Sequence, residues 1–231
     1  MIRLIPANKR HFSDFGWLKT FWLFSFSDYY DPDNIEFGSI RVFNDDVIVP
    51  NSGFPMHDHD NMEIISIILD GEITHTDNIG NAQTLTKGDV QIMSAGRGVT
   101  HSEYNHATAS SHFFQIWVKP KTQNLAPTYR QKNFLTLLKN RLTPIASGKK
   151  ITDSLHINSN ATLYLGEIEK DGEIVCSLNA SHGTFIYVFE GSIKINDTCL
   201  ESGDQARITN KESLDISSRE NARFILIDTH L

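Results

Sequence analysis

The chain has 231 residues with 39% hydrophobic and 21% charged positions and a formal net charge of -7, an ordinary composition for a folded chain with a buried core. No basic face is available to neutralise phosphates, which excludes a nucleic-acid surface, and the longest apolar run, residues 64–69, is far too short to span a membrane. The N-terminal MIRLIPANKR lacks the apolar segment of a secretory signal, and with only Cys176 and Cys199 no disulfide framework is indicated, so the expected setting is the cytoplasm with two reduced, partly buried thiols.

Residues 12–37 are rich in aromatics, among them Phe15, Trp17, Trp22, Phe24 and Phe26, expected to pack a core and cover the mouth of a barrel. From residue 39 short apolar runs alternate with turn residues. Strands are expected over 39–43 and 47–49 with a turn at Asn44-Asp45-Asp46 between them, then a turn at 50–53. Residues 64–69 (IISIIL) form a buried strand ended by Asp70-Gly71, a hairpin dipeptide; 72–77 alternates; Gly88-Asp89 precedes the strand 90–93; and 113–118 (FFQIWV) is another strand. Sustained helical periodicity is missing from the first 120 residues, so the class is all-β. Residues 126–148 read as a linker, within which 134–142 could be helix or strand.

The second half repeats the first weakly. Residues 64–71 (IISIILDG) match 184–191 (TFIYVFEG), and 87–92 (KGDVQI) match 202–207 (SGDQAR), which implies two barrels of one kind in tandem, over 1–125 and 149–231. Aligned on Gly71 with Gly191 and Gly88 with Gly203, the copy has Ser177 and Asn179 where the first half has His57 and His59, and Ile216 and Ser218 in place of His101 and Glu103. Only the first barrel carries potential ligands.

Those ligands lie in two stretches, GFPMHDHDNME (53–63) and AGRGVTHSEYN (95–105). On a strand, residues two apart share a face, so His57 with His59 and His101 with Glu103 each project to one side. Two such pairs facing each other offer three imidazoles and a carboxylate, a donor set for a first-row transition ion. Glu63 shares strand parity with His57 and His59, and parity alone does not decide between the two glutamates.

Residues 53–71 look like the first cupin motif, and residues 88–105 look like the second. More narrowly, FSFSDYYDP (24–32), RVFNDDVI (41–48), HDHDNMEI (57–64) and QIMSAGRGVTHSEYN (91–105) resemble the pirin family of bicupins, close to bacterial pirin-like quercetin 2,3-dioxygenases. The resemblance implies two cupin (jelly-roll) barrels. It also implies one divalent ion held by His57, His59, His101 and Glu103, with Fe(II) favoured and Mn, Co, Ni, Cu or Zn admissible, and Glu63 as an acceptor behind the ligands. It further implies that Glu103 takes the proton of a flavonol 3-hydroxyl and that dioxygen opens the heterocycle with loss of carbon monoxide. The alternative it carries is an iron-dependent, redox-sensing regulator that binds a transcription factor or a metabolic enzyme. A monomer is expected. Trp22 departs from the pattern, which has a polar His before the FSF string.

Overall fold

Alternation of apolar and polar residues, cut by residues that accept a left-handed backbone, makes nearly the whole chain strand. The computed structural model describes residues 1–231 and contains 22 strands and one three-residue 3-10 turn. Gly71 and Gly191 turn at φ 73° and 70°, Gly88 and Gly203 at φ 86° and 90°, so the repeat inferred from the sequence is present at matching turns of both halves. The helices of the structure include none long and apolar enough to cross a membrane.

Each half is a sandwich of a seven-stranded and a four-stranded sheet, antiparallel throughout except where Arg141–Ser147 and Leu155–His156 pair in parallel. In the first, the large sheet runs Thr128–Asn133, Asp89–Ser94, Glu63–Asp70, Ser111–Val118, Ile40–Ile48, Leu18–Trp22, His11–Asp14, and the small sheet runs Ser52–His59, Val99–Asn105, Glu72–Asp77, Ala82–Thr86. The large sheets of the two halves pack back to back. Phe43 and Phe114 meet Phe185 and Tyr187 there at ring separations of 5.2 to 5.6 Å, inside a continuous apolar cluster drawn from both halves. Each such buried ring contributes about 2 kcal/mol.

Strand parity sorts the large sheet of the first half. Phe43, Ile65, Ile67, Ile92, Phe114 and Ile116 join the cluster between the halves. The alternate positions Asn44, Asp46, Ser66, Gln91 and Gln115 are buried as well, turned by the pleat to the opposite face, toward the small sheet. The second barrel is filled instead with aliphatic side chains such as Ile174, Ile186, Ile193, Leu214 and Ile216. Its interior has no counterpart of the polar face that Asn44, Asp46, Ser66, Gln91 and Gln115 form in the first.

Several expectations need correction. Asn44-Asp45-Asp46 is not a turn; Ile40–Ile48 is one strand, because the polar residues face a polar barrel interior and Asp45 faces Tyr187 of the other half. The stretch 126–148 holds two strands: Thr128–Asn133 pairs with Asp89–Ser94, and Arg141–Ser147 pairs with Ala161–Ile168 in the second half. Of 134–142, only the last two residues are strand and none is helix. Ile2–Ile5 does not join the first barrel but pairs with Gln205–Ile208 at the edge of the second. In the small sheet of the second half Ser177 pairs with Ser213, so Ile216 is not its facing residue as His101 is of His57. Cys176 is half-buried, but Cys199 is exposed.

Candidate metal centre

His57 and His101 lie opposite each other on adjacent strands of the small sheet, and the register slips just beyond them, where Glu103 pairs with Phe54. Pro55 and Met56 therefore oppose the single residue Ser102, a β-bulge. Proline is tolerated because Ser52–His59 is an edge strand. The bulge resets the parity, so Phe54 and His57 come to the same side, with rings 6.2 Å apart. Gly53 is required at the crossing: a Cβ there would stand 2.2 Å from the carbonyl oxygen of Glu103.

The rings of His57, His59 and His101 converge at centroid separations of 4.5 to 5.0 Å, and each offers a nitrogen within 4.8 Å of the others. His57 donates Nδ1–H to the Pro55 carbonyl at 2.8 Å, which leaves its Nε2 lone pair free. Nε2 of His101 is fully buried and has no partner. Burial, with the neighbouring histidines, holds His59 down to about 4 and His101 down to about 3, so both are neutral donors at pH 7. An orphaned buried nitrogen among neutral imidazoles fits a transition ion.

Glu103 is fully buried. Ser66 Oγ donates to its Oε1 at 3.1 Å and Gln115 Nε2 to its Oε2 at 2.5 Å, so both residues come from the large sheet and fix the carboxylate. The structure groups Glu103 with His101 and with a further histidine, His75, rather than with all three of the converging rings. Glu63 stands elsewhere: it accepts from Ser94 Oγ at 2.6 Å and from the backbone N–H of Asn158, in the second half, at 3.1 Å. It ties the two halves together and orients no imidazole.

Sequence reasoning missed His75 and Asp77. His75 Nε2–H donates to Asp77 at 2.9 Å, and its Nδ1 lies 3.3 Å from Nδ1 of His101. The hydrogen-bond network then gives His101 Nδ1–H as donor to His75 and leaves His101 Nε2 bare. Although burial pushes Asp77 upward, the bonds from His75 and Asn81 together hold it below the usual carboxylate range. The signal was in the sequence: THTD repeats the i,i+2 spacing of HDH and HSE.

The fold and this chamber define a bicupin with a histidine cluster in the first barrel only. Residues 6–118 match the family model described as Pirin, and residues 144–229 match that of the quercetinase C-terminal cupin domain. A pirin-like protein of Caulobacter vibrioides is 39% identical over 99% of both chains, and a quercetin 2,3-dioxygenase of Escherichia coli is 35% identical over 99% of this chain and 98% of its own. A crystal structure of a bacterial pirin from Escherichia coli in complex with nickel(II) superposes with a TM-score of 0.95 at 34% identity, covering 100% of this chain and 99% of that one. The chain belongs to the pirin family.

Proposed function

We propose that this protein is a metal-dependent dioxygenase that opens a flavonol or a related polyphenol. A divalent ion, Fe(II) in our reading, would be held by His57, His59 and His101 with Glu103 as the fourth donor. The observation that carries the reading is the buried, unpartnered Nε2 of His101 among two further imidazoles, beside an aromatic cleft. The same donor set accepts Mn, Co, Ni, Cu or Zn. The quercetin 2,3-dioxygenase activity of the Escherichia coli relative and the nickel of the Escherichia coli pirin support the reaction class and a divalent ion.

When bound, the ion supplies Lewis acidity to a substrate oxygen and an open position for dioxygen. The chain's own residues do the rest. His57 and His101 are oriented by Pro55 and His75, and the Glu103 carboxylate, fixed by Ser66 and Gln115, is the base for a substrate hydroxyl proton. Trp117 packs edge-on to His59 at 4.8 Å and excludes water from that side.

Iron-loaded protein incubated with quercetin in air should bleach the flavonol's visible absorbance, and the same mixture without oxygen should not. His57→Ala and Glu103→Ala should abolish the bleaching. Absence of bleaching with every one of the six ions overturns the proposal.

A further inference from the structure

Asp46 lies on Ile40–Ile48 in the first barrel, is 1% exposed, and has no hydrogen-bond partner at either carboxylate oxygen. Its neighbours in strand parity are in the same condition: Oγ1 of Thr20 and Oδ1 of Asn44 are buried and unpaired. Folding does not leave three polar groups unsatisfied without compensation elsewhere, since each forfeits its hydration. They are placed for a partner from outside the chain.

That partner has an entrance. Asn44, Asp46 and Gln115 line a cleft of about 210 Å³ whose walls are aromatic, chiefly Trp17, Trp22, Phe26 and Phe54. The cleft abuts the histidine cluster along two edges. Phe54 stands 6.2 Å from His57, and Phe26 meets Trp117 at 5.4 Å, which in turn meets His59. Gln115 joins the cleft to Glu103 directly. The aromatics are walls, not a plug, so a flat ring can enter between them. Trp22, the departure from the family pattern, is one of these walls: its ring is edge-on to Phe26 at 5.5 Å and stacks on His11 at 5.2 Å.

We propose that Asn44 and Asp46, with Thr20 opposite Asp46 on the neighbouring strand, form a hydroxyl-recognition subsite that takes a phenolic ring of the substrate, remote from the oxygen presented to the histidine cluster. The inference rests on the polyphenol reading above and adds to it which end of the substrate enters the cleft. The donor count suits the task. Burial, then the charges of Asp45 and Glu103, push Asp46 up to about 8 against the opposing Thr20 hydroxyl, which sits near without an aligned hydrogen bond. At pH 7 Asp46 is mostly a neutral acid, able to donate to a phenol oxygen while Asn44 Oδ1 accepts the phenol proton. A ring without a hydroxyl would leave all three groups unpaired, and such sites discriminate strongly against the deoxy analogue.

The test uses the full chain loaded with zinc and kept free of oxygen, so that no flavonol is consumed, and follows quenching of tryptophan fluorescence. The probes are quercetin and 3-hydroxyflavone, which share the 3-hydroxyl but differ in the outer hydroxyls. The native protein should prefer quercetin by about tenfold or more. Asp46→Leu should bring the two affinities to within about twofold, by weakening quercetin alone, and the isosteric Thr20→Val should reduce the preference in part. An unchanged preference in both variants, or an equal loss for both probes at full zinc stoichiometry, overturns the subsite. Should Asp46→Leu not fold, Asp46→Asn and Thr20→Val carry the same comparison. Normal aerobic bleaching with no hydroxyl preference would remove the subsite and leave the oxygenase; a clear preference without bleaching would do the reverse.

Discussion

The Nδ1 atoms of His101 and His75 lie 3.3 Å apart where both residues are fully buried, and Asp77 closes the chain of contacts at 2.9 Å from His75 Nε2. The consequence is directional. His75 accepts the Nδ1–H of His101 and so dedicates the other nitrogen, Nε2, to the chamber. Replacing His75 with Phe keeps the ring volume but strands that N–H. Metal affinity, measured by competition with a chelator, should fall by about 10- to 100-fold, with retention of the strand-rich circular dichroism spectrum. Unchanged affinity would show that His75 only fills space.

Asp46 makes a pH signature that belongs to the metal-free protein. In the unfolded chain its carboxyl titrates near 3.9, whereas burial pushes the folded group up to about 8. Between those values the folded state holds a proton that the unfolded state has released, so the group's stability is intact below pH 4 and is lost as pH rises toward 8. Asp46→Asn removes this loss. The stability difference between variant and parent should widen with rising pH by about 1 kcal/mol per unit across that window. Denaturant melts at pH 4.5, 6 and 7.5 would show it, and a constant difference would mean that the carboxyl is ionised throughout.

Glu63 offers the opposite test. It is bonded to Ser94 and Asn158, away from the histidines. Glu63→Gln should leave metal stoichiometry unaltered while lowering stability by about 1–3 kcal/mol through the weakened tie between the halves. Loss of the ion in this variant would reinstate Glu63 as a ligand.

At Gly53 a methyl group would collide with backbone at 2.2 Å, and that backbone is the strand carrying Glu103. Gly53→Ala should therefore lower both the melting temperature and metal affinity, since the edge strand Ser52–His59 must move away from Val99–Asn105 beside the bulge. A variant that melts earlier but binds metal normally would show that the chamber tolerates the shift.

Much of this is legible in the sequence. The histidine pairs, the repeated glycine turns and the buried strand at 64–69 follow from period-two spacing and left-handed turns, which are local properties. What escaped was non-local or polar. Asn44-Asp45-Asp46 has the composition of a turn, and only a barrel with a polar interior makes it a strand. His75 escaped because the His-x-Asp spacing of THTD gains meaning only beside His101, 26 positions away. Thr128–Asn133 looked like linker because it is polar, yet it is an edge strand whose Tyr129 ring covers His75 at 4.8 Å.

The N-terminal strand Ile2–Ile5 is stitched to the far half of the molecule, and Met1 reaches the carbonyl of Thr209, 208 positions along the chain. During synthesis this segment must wait, unpaired, until almost the entire polypeptide has been made. A fragment that stops between the barrels would therefore carry a loose, pairing-competent ribbon, and the other fragment would expose the sheet edge, Gln205–Thr209, that the ribbon covers. The first strand acts as a clasp on the second half, and cutting the protein in two undoes it.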